Sequence, residues 1–423
     1  QNSAGVIPGG MSASTSPSTD NHHTLPPSAR RLAPTAVGLS IFLVAIAVRL
    51  PPAIASHFIF ETDSAFHSRM IAAVLNTGSL PTVDSKYALD PPRDNRQMCP
   101  DAFHRLAAFG YTVCRRLAPM PFADYLMALG VLCGALTTLP LCGIVWMLTR
   151  RTVDTALAGA VFAVATPVTL RSAFHVVRYE SLGILLVLAL TAVLYRWRSS
   201  VPLPSRWARL LFFAAFVIGL SGAGTWRLFP PLAAMLLMAA AVADAVAPRT
   251  HPSILSPALA AACGCLAAWP VFEFYRLAGA AGLPLLLAPL SAAAAGWLIR
   301  QERVSGWLAR LSRALRWALA VTALGLLLSG IGATTEAGRA WLRPILGLTP
   351  DLQSSLSPPV LVGEMLPVDP ATFFSWHYLG YLPVLYAAWL LYAVRRADVR
   401  QSDAFQAVAA WLAIGVTLLF NRM

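Results

Sequence analysis

Glu61-Thr62-Asp63, followed by His67 and Arg69, puts two carboxylates, an imidazole and a guanidinium into one short run. Carboxylates at that spacing can hold a hard divalent cation or position a proton. A second run, from Arg171-Ser172 through His175 and Arg178 to Glu180, crowds two more guanidiniums, an imidazole and an acid together. Glu364 is an isolated acid in an apolar strip between Pro358-Pro359 and Pro367, where an extended segment would deliver one carboxylate. Arg422 offers a guanidinium suited to bidentate binding of phosphate. Trp226-Arg227 adds an aromatic and a cation in a further turn. Each feature also has a plainer reading. The 61–69 run can be solvated charge at a membrane boundary. Arg178 and Glu180 can pair locally to cap a helix, since an acid is favoured at a helix N-terminus. Trp226-Arg227 can be a belt tryptophan with a snorkelling arginine.

What must position these residues is a membrane scaffold. Of 423 residues, 57% are hydrophobic and only 12% charged, with a mean hydropathy of +0.63. A soluble domain is about one quarter charged. Runs of about 20 apolar residues recur, each able to cross about 30 Å of hydrocarbon. Without water to bond the backbone, such spans are helices or closed barrels. These runs are long and rich in Leu and Ala, so they are helices, and the fold class is all-α integral membrane. The net charge of +13 comes almost wholly from arginine, with Lys86 the single lysine. No basic stripe with interleaved aromatics is present, so nucleic acid is excluded as a partner. No CxxC metal spacing occurs. Cys133, Cys142, Cys263 and Cys265 lie in apolar runs as packing residues, whereas Cys99 and Cys114 share one polar loop and either pair or stay free.

Residues 1–34 read as a disordered tail rich in Ser, Thr, Pro and Gly, with Met11 a candidate natural start. Residues 35–423 read as one transmembrane domain of about eleven spans. They fall near 36–54, 124–148, 153–169, 181–195, 210–222, 229–247, 254–274, 282–299, 317–331, 373–394 and 405–420. Pro270 and Pro284 can kink or split two of them. With the N-terminus cytoplasmic and the spans alternating, the inner loops hold Arg150-Arg151, Arg196 to Arg209, Arg249, Arg300 to Arg316 and Arg395 to Arg400, as the positive-inside rule requires. Two long external loops, about 55–122 and 332–372, then share the outer face with the 170–180 and 223–228 turns and with Arg422. All the candidate chemistry therefore meets on one side. The 55–122 segment reads as irregular, with one amphipathic piece from Ala102 to Arg116. A transporter would need ionisable groups near mid-span, but Asp244 and Glu273 lie only near span ends.

In order and spacing these motifs resemble the catalytic subunit of N-oligosaccharyltransferases, which are membrane glycosyltransferases of the GT-C type. Thr62-Asp63-Ser64-Ala65 with Arg69-Met70-Ile71, then Gly78-Ser79-Leu80-Pro81 and Asp84, looks like that family's first external loop with its G-x-x-P-x-x-D stretch. Pro119 to Pro140 is similar to the family's entry into its second span. Arg171-Ser172 through Glu180 is similar to its R-S-x-x-G-x-x-D-x-E motif. Val362-Gly363-Glu364 with Pro367, and Phe373-Phe374 after it, resembles the loop whose Glu meets the acceptor, and Trp226 matches an aromatic of another outer turn. Asn421-Arg422-Met423 is similar to the family's donor-binding arginine motif.

The resemblance implies transfer of a glycan from a polyprenyl-diphosphate lipid to an asparagine amide of a polypeptide, in contact with membrane lipid. Asp63 and Glu364 would be catalytic. Arg422, Arg171 and Arg178 would bind the donor, and Glu364 and Trp226 would line the acceptor side. A divalent cation, Mg2+ or Mn2+, would be held by Asp63, Glu364 and Glu180. Two departures stand out. Where the family has a metal-binding Asp, this chain has Arg178, and the motif's glycine is His175. A guanidinium can offset carboxylate charge but is no Lewis acid. The family's C-terminal soluble domain with its W-W-D-Y-G motif is absent from this sequence, which reads as a truncated chain. The alternatives are a GT-C enzyme using a polyprenyl-monophosphate sugar, or a catalytically impaired homologue.

Overall fold

The computed structural model describes residues 27–50, 62–83, 94–97, 100–164, 172, 176–199, 204–246, 254–279 and 282–301, with a few positions up to 311. The expected spans 317–331, 373–394 and 405–420, the 332–372 loop, Glu364 and Arg422 lie outside the described residues, as do Glu61, Cys99, Arg171 and His175.

Among the described residues the chain is helical, without strands. The helices are α1 (Pro27–Arg49), α2 (Thr62–Thr77), α3 (Ala102–Leu117), α4 (Phe122–Leu136), α5 (Thr138–Thr149), α6 (Thr152–Val164), α7 (Tyr179–Ser199), α8 (Ser205–Thr225), α9 (Phe229–Val246), α10 (Leu255–Val271), α11 (Glu273–Ala278) and α12 (Leu283–Arg300). Phe122–Thr149, Tyr179–Arg198, Ser205–Thr225 and Leu283–Arg300 are long and apolar enough to cross a membrane; Ala33–Arg49, Thr152–Val164, Phe229–Ala241 and Leu255–Val271 are shorter apolar helices. The described parts of the apolar runs read as spans in this region are thus chiefly helical.

Three differences from the sequence reading have physical causes. The 55–122 segment was expected to be irregular with one amphipathic piece, yet its described residues include two α-helices, α2 and α3. Phe66, Met70 and Val74 recur every four residues and bury one stripe of α2 against Phe103, Ala107 and Ala108 of α3. The interleaved Ser64, His67 and Ser68 masked that stripe. The expected span 124–148 is interrupted at Thr137. Pro140 cannot donate to the Leu136 carbonyl. The hydroxyls of Thr137 and Thr138 donate back to the carbonyls of Gly134 and Ala135 on the near side of this break. The expected span 254–274 breaks at the extended Phe272, between α10 and α11, whereas Pro284 does not split α12. Pro270 lies in the last turn of α10, and Pro284 in the first turn of α12, where its missing N–H costs nothing.

The main core joins α7, α8, α9, α10 and α12 through Leu190, Ala215, Phe229, Ala261 and Leu286. At the α8–α10 crossing the two backbones come into direct contact. A Cβ at Gly219 would collide with the Ala261 carbonyl, and one at Gly264 with the Phe216 carbonyl. Small residues let the two backbones touch, as helices in lipid require where packing replaces the hydrophobic effect. A smaller core joins α1, α5 and α6 through Ile41, Ala45, Cys142 and Ala163. The α2–α3 pair seats on Tyr125 and Leu126 of α4 and on Val177, just before α7.

Candidate active site

Val177 is where the two candidate runs meet. Its N–H donates to the Ser64 hydroxyl at 3.0 Å, and the Ser68 hydroxyl donates to the Ser64 carbonyl at 2.7 Å. This ties the non-helical stretch 176–178 to the first turns of α2. Arg178 is thereby carried to Asp63. Its Nη2 lies 3.2 Å from Asp63 Oδ2, and its Nη1 lies 3.6 Å from Glu180 Oε1. The guanidinium is 5% exposed, Glu180 15% and Asp63 55%. Asp63 stands in the first turn of α2 and Glu180 in the first turn of α7. Both acids therefore stand at the positive end of their own helix dipole. The arrangement is an outward-facing carboxylate braced from beneath by a buried cation. It can accept a proton, or orient a polar group brought from outside.

One turn along α2, His67 is buried, with its Nδ1 3.0 Å from Nε2 of the buried His104 on α3. The Tyr179 ring meets His67 edge-on with centroids 4.8 Å apart, and Phe66 and Phe103 complete the surround. His104 Nδ1 has no hydrogen-bond partner. Burial pushes His67 from 6.5 down to about 3, and burial followed by the His67 charge holds His104 well below the usual range. The unfolded chain takes up a proton at His67 as pH falls through 6.5, while the folded chain does not until about 3. Stability is therefore full above 6.5 and declines below it, by about 2 kcal/mol from His67 alone at pH 5. The thermal unfolding midpoint should fall between pH 6.5 and 5, and the fall should shrink in His67→Gln. A midpoint flat across that range would refute the buried neutral pair.

Two further features brace this end of the bundle. Arg96 chelates Asp94 at 2.9 and 2.7 Å and reaches Glu273 Oε1, at the start of α11, at 2.8 Å. The hydrogen bond from Arg96 holds the Asp94 carboxyl below the usual carboxylate range. Arg49, at the C-terminus of α1, is fully buried. Its Nε donates to the Ser172 hydroxyl at 2.8 Å, and Nη1 donates to the Ala45 and Ala163 carbonyls at 2.9 and 3.0 Å. It thus places a cation against the last turns of α1 and α6, as helix dipoles favour.

Of the expected site residues, the structure brings together Asp63, Arg178 and Glu180. Trp226 is buried at the α8–α9 turn, packed on Gly183 one turn into α7. Arg171, Glu364 and Arg422 lie outside the described residues. Arg49 and His104 were missed by sequence reasoning. The signal for Arg49 was available, because it is an arginine at the span end that alternation places outside, against the positive-inside pattern. Among the described residues no group of three or more His, Cys, Asp or Glu could hold a metal ion.

No protein-family model and no curated protein matches the chain. Solved structures do. The apo crystal structure of the Archaeoglobus fulgidus oligosaccharyltransferase aligns with a TM-score of 0.68 at 14% identity, covering 92% of this chain and 48% of that one. The same protein tethered to an acceptor peptide containing the NVT sequon aligns at 0.62 and 15% identity, covering 93% and 47%. Its complex with Zn and sulfate aligns at 0.59 and 13% identity, covering 90% and 45%. At these identities the likeness is one of fold. The chain spans about half the length of the structures it matches.

Proposed function

We propose that the chain is the membrane-embedded part of an oligosaccharyltransferase-like enzyme. It moves a glycan from a polyprenyl-diphosphate lipid to the asparagine amide of an acceptor polypeptide. The supporting observation is fold likeness to such an enzyme over 92% of the chain. The N-terminus is cytoplasmic and the site faces outward, a reading that rests on the arginine-rich loops. In the reaction, a bond forms between the amide nitrogen and the anomeric carbon of the glycan. The bond from that carbon to the diphosphate oxygen breaks, and the amide proton passes to a carboxylate. Asp63 and Glu364 engage the amide. Arg422 and Arg171 stabilise the charge that develops on the leaving diphosphate, the kind of fixed-cation effect that dominates such steps. Trp226, set against Gly183, fixes the height of the helix that Glu180 opens, and so bears on the acceptor side.

A divalent cation, Mg2+ or Mn2+, is what the resemblance implies, and the solved relative was crystallised with Zn. The described residues do not fit one between Asp63 and Glu180, because the Arg178 guanidinium engages both acids. No step above is routed through a metal. The same observation favours a second reading, a GT-C transferase that uses a polyprenyl-monophosphate sugar. Full-length protein in nanodiscs, offered radiolabelled donors of each type and an Asn-Val-Thr peptide, separates the two. Transfer from the diphosphate donor alone is expected. Transfer from the monophosphate donor alone would replace the first reading with the second.

A further inference from the structure

We propose that Arg178 is a built-in cation, a positioning residue that locks Asp63 to Glu180 and leaves the pair with no use for a divalent ion. The charge balance supports this. Each helix N-terminus carries the equivalent of about half a positive charge. Asp63 and Glu180 each stand at one such end. Two carboxylates, one guanidinium and two helix ends therefore sum to about zero. A divalent ion added there would leave the cluster near a charge of about +2, beside a guanidinium that solvent barely reaches and therefore screens poorly.

The geometry agrees. Divalent ions bind carboxylate oxygen at about 2.0–2.6 Å and want about six ligands. An ion shared by Asp63 and Glu180 would compete with Arg178 for Asp63 Oδ2 and Glu180 Oε1. Glu180 Oε2 is buried without a hydrogen-bond partner. Among the described residues, the oxygens of Asp63 and Glu180 that Arg178 leaves unengaged fall short of the about six ligands such an ion wants. The guanidinium is also covalently fixed, while the Ser64–Val177 bond holds its segment in register with α2. It aims Asp63 without the pH-dependent and concentration-dependent loading of a bound ion. It supplies charge and hydrogen bonds but no Lewis acid.

The inference rests on the functional reading only for what Asp63 does in transfer. Its test does not involve transfer. Full-length protein in detergent, stripped with chelator, is titrated with Mn2+. Free Mn2+ is followed by electron paramagnetic resonance, and stability by thermal unfolding. The wild type should show no saturable site and an unchanged midpoint. Arg178→Asp should gain one site per chain, with a midpoint that rises with Mn2+. Arg178→Gln, which keeps the size without the charge, should lower the midpoint, and Arg178→Lys should recover most of that loss. One Mn2+ bound to wild type and lost in Asp63→Asn would overturn the proposal. So would an Arg178→Gln protein as stable as wild type. If Arg178→Asp does not fold, the wild-type titration and the Gln and Lys pair still decide. Failed glycan transfer alongside these expected results would remove the functional reading and leave this one standing.

Discussion

Asp63→Asn is expected to lower glycan transfer by about 10²–10⁴-fold, the range for losing a positioned acid–base group, while leaving a folded protein. Asparagine keeps the shape and loses the charge. Asp63 is 55% exposed, so losing its ion pair with Arg178 should cost about 1 kcal/mol or less. The substitution therefore separates chemistry from folding. Initial rates with saturating diphosphate donor and acceptor peptide, read beside an unfolding midpoint within a few degrees of wild type, would show it. A folded Asp63→Asn protein that transfers at the wild-type rate would remove Asp63 from the reaction.

The largest loss of stability is expected from Gly264→Leu. Overpacking a well-filled core costs about 1–3 kcal/mol, occasionally more, when neighbouring side chains can shift. At Gly264 the obstacle is the Phe216 carbonyl and the Leu220 amide, main-chain atoms of a regular helix. Nothing can rotate away, so α8 and α10 must separate, and Phe216, Leu220 and Ala261 lose contact together. The effect should exceed about 3 kcal/mol and appear as lost monodisperse protein on size exclusion. Gly143, whose added Cβ meets nothing within 4 Å, is the matched control, and Gly143→Ala should behave as wild type. Equal yields for Gly264→Leu and Gly143→Ala would show that the crossing is looser than described.

Much of this architecture could be read from residues alone, because apolar run length and the cost of an unbonded backbone leave few options in lipid. An amphipathic piece was expected over Ala102–Arg116, and the α3 helix is found at Ala102–Leu117. The α2 helix was not expected, since its burial depends on a partner, and only α3 turns Phe66, Met70 and Val74 into a core stripe. The meeting of Asp63, Arg178 and Glu180 was foreshadowed by their shared face, and a guanidinium offsetting carboxylate charge was among the expectations; the contacts of Arg178 with both acids were not legible. As a sequence symbol it is a missing acid. As a structure it is a cation held between two acids. The His67–His104 pair was invisible for a similar reason, as its members are 37 residues apart and meet only when α2 folds back on α3.

The burial of Arg49 also imposes an order of events on synthesis. When α1 leaves the ribosome, Arg49 has one partner at hand, the Ala45 carbonyl four residues back. Its other partners, Ala163 and Ser172, follow 114 and 123 residues later. At about 5–20 residues per second, that interval is roughly 6 to 25 s. Through that time a guanidinium destined for burial must keep its water, so the C-terminal end of α1 stays undocked. Arrival of α6 and the turn at Ser172 releases it, making α1 one of the later of these helices to finish packing.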